Sequence, residues 1–169
     1  MVDPNDGQAP EARPPKLEDL IDLCRRLNAT GAKYIVIGGM AVIQHGFVRA
    51  TEDIDLLVET SPGNFQKIRT AMLGLPDGAI REVEPDDLDK HVVVRVGDEF
   101  VVDLMKAACG IEYAEASRDI SLMPVRDVLI PFANPQLLLR LKRTYREKDA
   151  LDRMFLQDLL NKTKARGEK

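Results

Sequence analysis

A small mixed α/β (α+β) domain is what the sequence predicts. Three observations carry this: one-sided helical periodicity near both ends, short β-branched runs between them, and glycine or Ser-Pro punctuation at the junctions. With 169 residues, 44% of them hydrophobic, the chain has enough to bury for one core without disulfides or a structural metal. Residues 1–15, with Pro4, Pro10, Pro14 and Pro15 among small and acidic residues, are expected to be a disordered or loosely attached segment. A single domain is expected over 16–169.

Leu17, Leu20, Ile21, Cys24 and Leu27 recur at helical spacing and Gly31 supplies a stop, so a helix should run from Lys16 through Asn28. Tyr34 to Ile37 is apolar and reads as a buried strand running straight into Gly38-Gly39, after which Met40 to Gln44 can form a short helix. In the next strand, Thr51 to Val58, successive side chains point to opposite sides. Thr51, Asp53 and Asp55 therefore share one face and Ile54 and Leu56 the other. Ser61-Pro62 has the N-cap and N1 order of a helix start, with Phe65, Ile68 and Met72 as its inner stripe. Residues 74–90 are irregular and acidic.

A hairpin follows, His91 to Val96 and Phe100 to Met105, around Gly97-Asp98-Glu99. Asp103 lies opposite Phe100, Val102 and Leu104, in the middle of an apolar strand. Residues 107–125 read as a partial helix and loop, and Val128 to Ile130 as a short strand or extended link. Asn134-Pro135 opens a helix to about Arg146, and a last helix runs from about Asp149 to Asn161 with Leu151, Phe155 and Leu159 inward.

Charge and cysteine content narrow the function. The formal net charge is −4, which argues against indiscriminate coating of nucleic acid, because that affinity comes from cations neutralising phosphates. The charge is uneven: 14 Lys/Arg stand against 23 Asp/Glu over residues 1–135, and 10 against 5 over residues 136–169. Cys24 and Cys109 form no CxxC pair, so a zinc knuckle and a redox motif lose support. The sequence shows no apolar run of membrane-spanning length and no charged-then-apolar leader, so no membrane association and a cytoplasmic location are expected.

The chemistry-bearing residues are carboxylates and glycines. Asp53 and Asp55 should have Cα atoms roughly 6.5–7 Å apart. Two like charges held so close repel, and a divalent cation between them resolves the conflict. Hard oxygen ligands suit Mg²⁺ or Mn²⁺. Gly38-Gly39, between a buried strand and a helix, either permits a sharp turn or lets backbone N–H groups approach a phosphate. It has neither the Lys-Ser/Thr ending of a P-loop nor the spacing of a dinucleotide fingerprint. Asp103 is costly in an apolar strand unless paired or metal-bound. It either completes a three-acid site or forms a salt bridge to Lys106, Arg95 or Arg49.

Gly38-Gly39, thirteen intervening residues and Asp53-Ile54-Asp55 together resemble the signature of the DNA polymerase β-like nucleotidyltransferase superfamily. More narrowly, His45-Gly46, Arg49, Thr51, Leu141-Lys142, Arg146 and Lys148-Asp149 are similar to the small bacterial nucleotidyltransferase-like proteins related to the abortive-infection AbiEii toxins. The resemblance spans about residues 17–160 and is tightest through 34–58. It implies a nucleotidyltransferase fold in which Gly38 and Gly39 contact NTP phosphates and Asp53 and Asp55 hold Mg²⁺. Asp103 would then be general base toward an acceptor hydroxyl or ligand to a second metal. Lys142, on the basic C-terminal helix, would reach the triphosphate, with Arg49 and Arg146 beside it; all three have a plainer reading, as exposed helix charges or, for Arg49, as a salt bridge to Glu52 or Asp55. His45 is expected to cap or pack, and Thr51 to hydrogen-bond a carboxylate.

The implied activity is NMP transfer from an NTP to a hydroxyl on RNA, tRNA included, on protein or on a small molecule, in a toxin–antitoxin setting. The related toxins have a larger helical part that helps hold the acceptor. With 169 residues, three outcomes are expected to remain open: a small acceptor, an acceptor held by a cognate partner or a second copy of the chain, or catalysis lost while the pocket survives. In the last case the chain would be a non-catalytic nucleotide-binding or antitoxin-like module.

Overall fold

The protein is described by a computed structural model that covers residues 11–167. Part of the expected loose N-terminal segment, 1–10, lies outside the described residues. Its remainder is fastened: Arg13 pairs with Asp19 at 2.6 Å and Glu99 at 3.0 Å, and its guanidinium lies 5.6 Å from the centre of the Phe100 ring. Composition alone hides this anchoring, because both carboxylates come from later elements.

Helix α1 (Leu17–Thr30) buries Leu20, Ile21, Leu23, Cys24 and Leu27, and ends at Gly31, whose φ of 69° lets its N–H close on the Asn28 and Leu27 carbonyls. Strand β1 (Tyr34–Ile37) is buried along its whole length and passes directly into α2 (Gly38–Gln44), which begins two residues earlier than Met40. Strand β2 covers Asp53–Val58, so Thr51 precedes it. In α3 (Pro62–Met72) the Ser61 hydroxyl accepts from the Asn64 N–H, as its sequence implies.

The 74–90 segment is more ordered than its composition suggests. It holds a 3₁₀ turn at Ala79–Glu82 and α4 (Asp87–Lys90), with Ile80 and Leu88 fully buried. Asp98 pins it, accepting from the N–H groups of Asp77 and Ala79 at 3.0 and 3.1 Å. Strands β3 (Val93–Gly97) and β4 (Val101–Met105) form the expected hairpin.

Residues 107–125 contain far more strand than expected. They form β5 (Ala107–Ala108), β6 (Ile111–Glu112), α5 (Tyr113–Ala116) and β7 (Ile120–Val125). Strand β8 (Val128–Ala133) pairs with β7 along its whole length. The turn between them, Arg126-Asp127, has Arg126 at φ 54°, a left-handed conformation usually signalled by glycine or asparagine and here carried by arginine. Pro124 and Pro131 also interrupt the usual strand pattern.

The C-terminal helices differ too. Helix α6 (Pro135–Leu141) stops short of Arg146, and α7 runs Glu147–Gly167. Lys142 therefore lies beyond the helix on which it was expected. Arg153 stitches the connection by donating to the carbonyls of Lys142 and Thr144. The buried side of α7 is Asp149, Asp152 and Leu156, whereas Leu151 is exposed. Apolar periodicity misplaces this face because two of its inward residues are carboxylates.

The six-stranded sheet has the order β3-β4-β2-β1-β8-β7. It is mixed: β2 runs parallel to β4 and β1 to β8, while β1–β2, β3–β4 and β7–β8 are antiparallel. Helices α1 and α3 pack together, α2 leans on α6, and α6 on α7. Ile54 and Leu56, on the side of β2 away from its aspartates, are fully buried in the single core. Among the described residues no helix is long and apolar enough to cross a membrane.

Candidate metal centre and charged cleft

The parallel pairing of β2 with β4 sets Asp55 opposite Asp103 and Ile54 opposite Val102. Residues in register on adjacent strands point to the same face, so Asp103 joins Asp53 and Asp55 on one side of the sheet. One carboxylate oxygen from each of the three lies within 4.8 Å of the others. This spacing suits hard oxygen ligation of a divalent ion, and the three residues present a donor set that fits one.

The electrostatics agree. Asp55 is pushed up to about 7, first by burial and then by Asp53 and Asp103, with Lys142 and Lys148 opposing. Asp53 is raised as well, by burial and then by Asp103. Among the described residues, the one guanidinium that pairs with the cluster is Arg95. Its Nε and Nη2 donate to the two oxygens of Asp103 at 3.0 Å each, and Nη2 also reaches Asp53 at 3.4 Å. The pairing expected among Lys106, Arg95 and Arg49 is thus made by Arg95, and it coexists with the three-acid cluster.

Gly38 and Gly39 have separate tasks. Gly38 has φ 66°, and a Cβ there would fall 2.0 Å from Asp55 Oδ2, so the carboxylate rests against a bare α-carbon. At Gly39 a Cβ would fall 2.5 Å from Thr51 Oγ1. Gly39 lines the cleft in front of the acids and Gly38 lies behind Asp55. The Thr51 hydroxyl bonds the Asp53 carbonyl at 3.2 Å rather than a carboxylate. His45 caps α2, and its Nε2 lies 2.9 Å from the Ala133 carbonyl.

A cleft of about 670 Å³ joins the acids to Arg49, Lys142, Arg146 and Lys148. Arg49 does not pair with Glu52 or Asp55. It donates to Asp152 at 3.0 Å. Lys142, 5% exposed, pairs with Asp152 at 3.0 Å and Asp149 at 3.3 Å. Arg146 meets Asp149 at 2.8 Å with its own side chain 63% exposed. Both aspartates are fully buried. Asp152 Oδ1 and Arg49 Nε are buried without a hydrogen-bond partner among the described residues.

Sequence reasoning placed the three acids and the cations around one cleft, but it did not find the Asp149–Asp152 clamp or the place of Lys148 on the cleft lining. Arg95 was one of the three partners expected for Asp103, and a hairpin centred on Glu99 sets residue 95 opposite 103. Nothing local signals that Asp152 meets a residue 103 positions away. No protein-family model and no curated protein matches the chain.

Proposed function

We propose that this chain is a metal-dependent nucleotidyltransferase that moves an NMP group from an NTP to a hydroxyl acceptor, with the nucleotidyltransferase fold its sequence resembles. The observation that carries this is the in-register pairing of Asp55 with Asp103, which gathers three carboxylates beside Gly39 and opposite a set of cations.

Asp53 and Asp55 would hold Mg²⁺ or Mn²⁺, with Asp103 a further ligand. A bound divalent ion would supply Lewis-acid stabilisation of the charge that develops on the transferred phosphate. The chain's own groups do the rest. Lys148 and Arg146, exposed at the cleft rim, neutralise the outer phosphates, and Lys142 and Arg49, paired with Asp149 and Asp152, fix the wall behind them. The backbone at Gly39, without a side chain, lets the phosphates approach closely. The acceptor oxygen attacks the α-phosphorus, the bond to pyrophosphate breaks, and an acid of the cluster receives the hydroxyl proton. Acceptors to test are RNA with tRNA included, protein, and small hydroxyl compounds, alone and with a cognate protein or second copy of the chain, as in AbiEii-type toxin–antitoxin systems.

Incubation of the chain with labelled NTPs, Mg²⁺ and total RNA or protein should label an acceptor and release pyrophosphate, and Asp53→Asn should abolish both. One observation favours a second reading, a non-catalytic nucleotide-binding or antitoxin-like module: Lys142 and Arg49 already have carboxylate partners. Nucleotide-dependent stabilisation without pyrophosphate release, for every acceptor class, would select it.

A further inference from the structure

Arg95 belongs to β3, one of the two edge strands of the sheet, and it bridges the acid cluster to solvent. Its side chain is 64% exposed, while that of Asp103 is 8% exposed. A bidentate guanidinium–carboxylate pair is a directional contact, but here one partner is anchored and the other hangs over it from water. Its release trades contacts for hydration and disturbs no packed core.

Charge balance gives the contact a meaning. Three ionised carboxylates with one guanidinium leave a deficit equal to one divalent ion. Asp55 makes no ion pair among the described residues, and Asp53 meets Arg95 only through one longer contact of 3.4 Å, so the Asp53–Asp55 side is the more open end of the cluster. The Asp103 side is covered, because both of its oxygens accept from Arg95. A second divalent ion on that side would have to share Asp103 with a cation already in place, and like charges at such range repel. Arg95 also has somewhere to go. It stands between the main cleft and a neighbouring groove of about 560 Å³ lined by Glu11 and Glu52, whose carboxylates can receive a displaced guanidinium.

We propose that Arg95 is a built-in counter-cation that gates metal occupancy: the cluster takes one divalent ion at Asp53–Asp55 with Arg95 in place, and a second at Asp103 only when Arg95 swings away. This rests on the metal-centre reading above and adds a regulation to it. Arg95 is accordingly a positioning residue for Asp103.

The test is Mn²⁺ binding to the full chain, followed by electron paramagnetic resonance of free and bound ion and by calorimetry, with no substrate present. The wild-type chain should bind one Mn²⁺, with any second ion at least tenfold weaker. Arg95→Ala and Arg95→Gln should tighten the second event by tenfold or more and change the first by less. Arg95→Lys, which keeps the charge without the fork, should fall between. Circular dichroism melting identifies which variants are folded, and either neutral variant suffices. Two equal sites in the wild type, or a second affinity unchanged within threefold in a folded neutral variant, would overturn the gate while leaving the metal centre standing. Failure of the wild type to bind Mn²⁺, or binding that survives Asp53→Asn with Asp55→Asn, would instead sink the metal centre and the gate with it.

Discussion

On the β2–β4 wall of the cleft two of three clustered carboxylates share one half-solvated guanidinium, whereas beside α7 two fully buried carboxylates meet Lys142, Arg49 and Arg146. Both regions gather charge away from water, yet they leave it in opposite states. The α7 cluster supplies its own counter-charges, so it can hold the α6–α7 connection as a structural joint. The β2–β4 cluster keeps an excess of negative charge, visible in Asp55 pushed up to about 7 by burial and its two acidic neighbours. Such an excess at a cleft is what a bound divalent cation would neutralise.

The contrast can be broken most forcefully at the joint. Asp152→Ala strips a buried partner from both Lys142 and Arg49, and loss of one member of a buried pair costs about 3–5 kcal/mol, which urea denaturation should register. Gly38→Ala comes next. It forces a side chain into a positive-φ position already filled by the Asp55 carboxylate, so about 2–3 kcal/mol of stability should go, together with Mn²⁺ affinity in a titration.

Asp55→Asn should have the opposite sign. The folded-state value of Asp55 lies above its usual 3.8, so its contribution to stability is present below about pH 4 and is lost as pH rises to about 7. Removing the charge should therefore stabilise the metal-free chain at pH 8 by about 1–2 kcal/mol while abolishing Mn²⁺ binding. Denaturation midpoints in EDTA between pH 4.5 and pH 8 should show this falling component in the wild type and lack it in the variant. The smallest effect is expected from Arg146→Ala. Its exposed guanidinium is largely screened, so stability should change by less than about 1 kcal/mol, and the visible loss should be in NTP affinity.

The same contrast explains what the sequence could disclose. The acidic wall obeys a two-residue period, so Asp53, Asp55 and the apolar flanks of Asp103 were readable residue by residue, as was the Ser61-Pro62 start of α3. Strand pairing then only had to bring β4 beside β2. The α7 joint has no period of its own. Asp149 and Asp152 turn inward because Lys142 and Arg49 are there to receive them, and one of those contacts spans 103 residues. The outward Leu151 goes with those inward acids, on the opposite side of α7. The β7–β8 hairpin was hidden differently, by an arginine in a turn position where glycine or asparagine is the usual marker.

Asp98, at the tip of the β3–β4 hairpin, accepts the amides of Asp77 and Ala79 as well as that of Glu99. Arg95 and Asp103 sit on the two legs of that same hairpin, equally far from its bend. The amides that hold the bend therefore also secure the register that sets Arg95 against Asp103.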